Sequence, residues 1–129
     1  MAWNDRATFS ELVGKTLAEI NGAEAGSDEV VFVSDSGERF KLYHSQGCCE
    51  SVSVNDVEGD LADLIGSPIL LAEEATSDEN PEGTPRPEFQ DDSFTWTFYR
   101  IATARGFVVI RWYGESNGYY SESVDFERA

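Results

Sequence analysis

The chain carries few of the residues that do chemistry. Among 129 residues there are one histidine, two cysteines and one methionine. A structural zinc site usually takes four ligands from two separated pairs, and this sequence has no second pair. Positive charge is scarce as well: nine basic residues, only Lys15 and Lys41 being lysines, stand against 25 acidic ones. The resulting charge of −16 opposes direct grip on nucleic acid, because phosphate binding needs Lys and Arg to displace counterions. The same sign opposes an anionic membrane surface. Apolar runs such as Ile69–Ala72 and Phe107–Ile110 stop at four residues, far short of the roughly 18 of a membrane helix. The start, Met1-Ala2-Trp3-Asn4-Asp5-Arg6, lacks the apolar stretch of a signal peptide. The expected location is therefore the cytoplasm. P-loop, G-x-G-x-x-G, G-x-S-x-G and H-E-x-x-H spacings are all absent, so no cofactor is expected and the reading leans away from an enzyme.

What is present is bulk for a core. Eight Phe, five Tyr and three Trp in a chain of this length read as one globular domain spanning 1–129. Thr8–Gly14 has the pattern of a short helix, with Thr8 as cap, Glu11 at the capping-box offset and Gly14 as stop. Asp60–Gly66 repeats that pattern, with Asp60 as cap and Pro68 beyond it. Strands are expected at Thr16–Ile20, Val30–Val33, Arg39–His44, Ser51–Val57 and from Ile69 onward, the second and third joined by Ser34-Asp35-Ser36-Gly37. The clearest alternation sets Phe94, Trp96 and Phe98 against Thr95, Thr97 and Tyr99. Turns at Ala104-Arg105-Gly106 and at Asn117-Gly118 then predict a three-stranded meander ending in Tyr119–Phe126. The fold class expected is α+β: a mostly antiparallel curled sheet, or barrel-like sandwich, with two short helices.

Charge is concentrated in the middle. From Leu42 to Tyr99 thirteen acids face one base, Arg86, a net −12 across 58 residues. Asp56, Glu58, Asp63, Glu73, Glu74, Asp78, Glu79, Glu82, Asp91 and Asp92 make up the candidate acidic interface. Residues 75–92, with three prolines and Phe89 as the only large apolar side chain, read as a flexible acidic loop. Such a pole suits a basic protein partner, including one that binds nucleic acid. Solubility and a host bias toward Arg over Lys explain the same acidity without a partner.

One motif gathers the rare residues. His44-Ser45-Gln46-Gly47-Cys48-Cys49-Glu50-Ser51 holds the only His, both Cys and a carboxylate. A thiol nucleophile with a nearby base and a metal site are the chemical readings of His44, Cys48, Cys49 and Glu50. The structural reading places His44 on the face of Phe40 and Leu42, hydrogen-bonded to a carbonyl or turn, with the cysteines as core fillers. A disulfide between adjacent cysteines closes a cramped ring of poor geometry, so both are expected as thiols. Asn55–Asp60 fails the calcium-loop register, and Asp60 is better explained as a cap. Trp112, Tyr113, Tyr119 and Tyr120 suit cross-strand pairs, with a contact patch as the alternative.

The run Val13–Glu74 resembles a family of small bacterial and phage domains of unknown function. The resembling pieces are Gly14-Lys15-Thr16-Leu17, Tyr43–Val52, Gly59-Asp60-Leu61 and Leu64–Leu70, with His-Ser-Gln-x-Cys-Cys-Glu as signature. Gly47 stands where that signature has an acidic residue. The resemblance implies a phage or prophage context and no established activity. The function expected is non-catalytic binding of a basic host protein, sharpest as an anti-defence inhibitor imitating nucleic-acid charge. The alternatives are a thiol- or metal-dependent enzyme at the His/Cys/Cys loop, and a structural module.

Overall fold

A computed structural model describes residues 7–47, 49–79, 93–118 and 121–129. Eight strands run β1 (Leu17–Asn21), β2 (Glu29–Ser34), β3 (Arg39–Tyr43), β4 (Ser51–Glu58), β5 (Leu71–Ser77), β6 (Ser93–Thr103), β7 (Gly106–Ser116) and β8 (Asp125–Arg128). They form two four-stranded antiparallel sheets, ordered β1-β2-β3-β8 and β4-β7-β6-β5.

This corrects the α+β expectation. The molecule is an all-β pair of sheets, not closed into a barrel among the described residues. Both expected helices are single 3-10 turns, Phe9–Leu12 and Leu61–Leu64. The caps form as anticipated: Glu11 accepts the Thr8 N–H at 2.6 Å, and Asp60 accepts the Ala62 N–H at 3.0 Å. Each segment is too short to repay α-helix nucleation, and Val13 and Ile65 already return to extended backbone. Gly14 and Gly66, with φ of 89° and 81°, then turn the chain away.

Alternation sorts the strands into inward and outward faces. Val30, Phe32, Phe40, Leu42 and Phe126 of one sheet meet Val52, Val54, Tyr99, Ile101, Ile110 and Trp112 of the other. Phe9 of the first 3-10 turn inserts between them, 4.8 Å from the Tyr99 ring and 5.4 Å from Phe126. In β4 a bulge between Val54 and Asp56 shifts the phase by one residue. Strict alternation from Val52 and Val54 would bury Asp56. The bulge instead sets Asp56 opposite Arg111 and Val57 opposite Ile110.

Two further expectations change. The closing meander has two strands, β6 and β7; the last strand, β8, pairs with β3 in the other sheet. Glu122 helps to hold this departure, its carboxylate accepting from Thr95 at 2.8 Å and from Ser116 while its backbone packs on Gly114. Residues 75–77, expected in the loop, belong to β5. Residues 80–92, on which the rest of that flexible-loop expectation falls, lie outside the described residues, as do Tyr119 and Tyr120.

Candidate functional site

His44 and Glu50 meet where the chain crosses from one sheet to the other. His44 follows β3 and Glu50 precedes β4, and their side chains are 3% and 1% exposed. His44 Nε2 lies 2.6 Å from Glu50 Oε2, and Nδ1 lies 2.6 Å from the Ser123 carbonyl oxygen. A carbonyl only accepts, so Nδ1 carries a proton. Nε2 and Glu50 Oε2 face each other as a buried hydrogen-bonded pair. Glu50 Oε2 also accepts the Gly47 N–H at 2.7 Å, and Gln46 Nε2 donates to the Glu50 carbonyl at 2.6 Å. The loop is thus drawn around one carboxylate. It clasps the β3–β4 crossover to the lead into β8.

This geometry leaves His44 little chemistry. Both imidazole nitrogens are engaged, so neither faces a substrate or an open coordination position. The expectation that the cysteines stay thiols is corrected: Cys49 is disulfide-bonded, within the loop drawn tight around Glu50. Cys48 lies outside the described residues. Among the described residues no three His, Cys, Asp or Glu group closely enough to hold a metal ion.

Among the described residues the acidic candidates lie on two edges of one sheet and around it. Asp56 and Glu58 lie on β4, one edge of the second sheet, and Glu73 and Glu74 on β5, its opposite edge. Three strand spacings of about 4.8 Å separate those edges by roughly 14 Å. Asp78 and Glu79 follow β5 and are exposed, whereas Asp63 packs its carboxylate over Gly106 at the β6–β7 turn. Glu82, Asp91 and Asp92 lie outside the described residues.

Between the two acidic edges runs a strip of which the contact-patch alternative named only Tyr113. Phe94, Trp96, Phe98 and Arg100 of β6 stand beside Glu115, Tyr113, Arg111 and Val109 of β7, all outward. The aromatic side of that alternation therefore faces away from the core, and the Thr97 and Tyr99 side faces in. Trp96 is fully buried although outside the core, with the Tyr113 ring 4.5 Å away and the Arg111 guanidinium 5.7 Å from its centroid. Arg111 is 12% exposed, held by Asn55 at 2.9 Å, Asp56 at 3.5 Å and Glu58 at 3.6 Å. Arg100 approaches Glu73 at 3.8 Å. Trp112, by contrast, is fully buried in the core. Alternation alone could flag the strip but not its side, because both sides of β6 carry large rings.

Fold and site together define an all-β domain with a clasped crossover and an aromatic outer face. The chain belongs to the family described as a domain of unknown function (DUF7448), whose model matches residues 10–126. No curated protein and no solved structure matches it. No helix among the described residues is long and apolar enough to cross a membrane.

Proposed function

We propose that the protein acts without catalysis, as a docking module for a basic protein partner in the cytoplasm. The observation that carries this reading is the outward face of β4-β7-β6-β5. Aromatic rings and two arginines occupy its middle, and carboxylates border it on both edge strands. Protein interfaces are enriched in aromatic residues and Arg at their centres, with a polar rim around them. A chain of charge −16 selects basic partners by steering and disfavours acidic ones. The sharpest form of the proposal follows the His-Ser-Gln-Gly-Cys-Cys-Glu resemblance. In that form the protein is a phage- or prophage-borne inhibitor whose carboxylates imitate nucleic-acid charge toward a host protein that binds nucleic acid. A thiol or metal centre at His44, Cys49 and Glu50 finds no comparable support, since both His44 nitrogens are engaged.

The test compares faces. Pull-down from host lysate should retain a basic protein that Phe98→Glu releases and that added salt weakens steeply. Glu29→Gln, on the other sheet, should leave retention unchanged. Retention indifferent both to salt and to Phe98→Glu would sink the reading.

A further inference from the structure

Four strands end the two sheets: β1 and β8 in one, β4 and β5 in the other. An edge strand presents a row of backbone N–H and C=O groups to whatever comes beside it. Three of these edges take backbone hydrogen bonds from other segments of the chain. On β1, Leu17 accepts the Gly66 N–H at 3.0 Å. On β4, Val54 donates to the Ser27 carbonyl at 2.7 Å and accepts the Gly26 N–H at 2.8 Å. On β8, Phe126 accepts the Ala7 N–H at 3.2 Å. β5 differs. Among the described residues, no backbone hydrogen bond reaches Leu71–Ser77 from any segment but β6. About half of the N–H and C=O groups of this strand therefore face the open side.

The side chains of β5 set the chemistry of what fits beside it. Ala72 is buried, Leu71, Ala75 and Ser77 are half-buried, and Glu73, Glu74 and Thr76 are exposed. The small residues Ala75, Thr76 and Ser77 leave the backbone open to close approach. Glu73 and Glu74 are consecutive, so one lies on each face of the sheet, opposite Arg100 and Tyr99 respectively. Residues 71–79 carry four carboxylates and no base. A second copy of this chain would bring the same charges to the same ladder, and like charges across a ladder repel. An extended segment with basic residues at its centre meets the opposite sign on both faces.

We propose that β5 receives an extended, lysine- or arginine-bearing segment of the partner protein as an added strand of its sheet. Main-chain hydrogen bonds along the edge supply affinity, and cations beside Glu73 and Glu74 supply selectivity. This rests on the docking reading above and names the part of the basic partner that binds. A strand added to β5 extends the outer face past Glu73 and Ala75, so one partner reaches the edge and the aromatic strip together.

The probe is the peptide Thr-Val-Lys-Lys-Val-Thr, titrated into the full chain and followed by amide hydrogen exchange. Binding should slow exchange at alternate amides of β5 and leave those of β1, β4 and β8 as they were. The same peptide N-methylated at every residue keeps its charge and loses its backbone donors. It should bind about tenfold more weakly or worse. Glu73→Gln and Glu74→Gln are exposed substitutions that keep the fold, and each should weaken binding roughly two- to fivefold. Asp56→Asn, on the opposite edge of the sheet, should leave it unchanged, because screening removes most of the attraction at that distance. Equal binding of the N-methylated peptide would overturn the proposal, as would protection at another edge in place of β5. Competition in the pull-down separates this inference from the docking reading. A partner that Phe98→Glu releases but an excess of the peptide does not displace would keep the face and overturn the edge. Protection of β5 by the peptide, with no Phe98-dependent partner retained, would support the edge and sink the face.

Discussion

The two sheets share a core but turn different chemistry outward. On β1-β2-β3-β8 the outward positions are Glu29, Val31 and Val33 against Tyr43, Lys41 and Arg39, with Asp125 and Glu127 beyond. Apart from Tyr43 these are small or charged side chains, and Lys41 lies 4.6 Å from the Tyr43 ring centroid. On β4-β7-β6-β5 the matching positions hold Phe94, Trp96, Phe98, Tyr113 and Phe107, the last 51% exposed. Solubility alone accounts for the first face. It does not account for a row of rings pointing away from the core on the second. Of these rings Phe107 is exposed, Phe94, Phe98 and Tyr113 are half-buried and Trp96 is fully buried. The described carboxylate candidates Asp56, Glu58, Glu73 and Glu74 split between two edges while the rings stay together.

The largest effect is expected at the clasp that holds the two faces on one body. Glu50→Ala strands a buried imidazole, and should cost about 3–5 kcal/mol in denaturant unfolding. A loss below about 1 kcal/mol would mean that the crossover is held elsewhere. The next variant sharpens the contrast between faces. Trp96→Ala should cost about 3 kcal/mol, as for buried aromatics, whereas Val31→Ala on the other sheet should cost under about 1 kcal/mol. Equal costs would remove the distinction.

Smaller effects follow from two titrations. Tyr99 has its folded pKa raised by burial and by nearby carboxylates, so the folded state binds the proton more tightly. Its contribution is fully present below the unfolded value near 10.0 and is lost as pH climbs beyond it. Tyr99→Phe should therefore flatten the alkaline fall in melting temperature relative to the wild type. The smallest effect concerns the first sheet. Lys15 donates to Glu38 at 2.9 Å and lowers that carboxyl below the usual 4.5. A lowered folded pKa stabilises above the unfolded value, and the benefit disappears as pH falls through the folded one. Lys15→Met should return Glu38 toward 4.5 in an NMR titration, with stability at neutral pH barely changed.

Local pattern was enough for much of the fold. The hairpin of β2 and β3 follows from two apolar alternations and a turn ending in Gly37, whose φ of 90° suits glycine. The caps at Glu11 and Asp60 were likewise readable, because a cap is an interaction within three residues. The helices expected behind those caps did not form, since a cap marks a start and says nothing about length. At the candidate site, the sequence singled out His44 and Glu50, which touch, but could not supply Ser123, which lies 79 residues from His44.

By itself the sequence determined a strand-rich, acidic, single-histidine chain, because composition and period-two alternation are local properties. Only the tertiary structure decided which side of β6 is the core, since Tyr99 and Trp96 are equally able to fill one and packing chose Tyr99. It also sent β8 to β3 instead of β7, through long-range ladder bonds that no local turn signal encodes. The placing of Asp56 and Glu58 on one edge and of Glu73 and Glu74 on the other has the same origin. Sequence proximity gathers charges along a chain, but strand order sets where they lie in space.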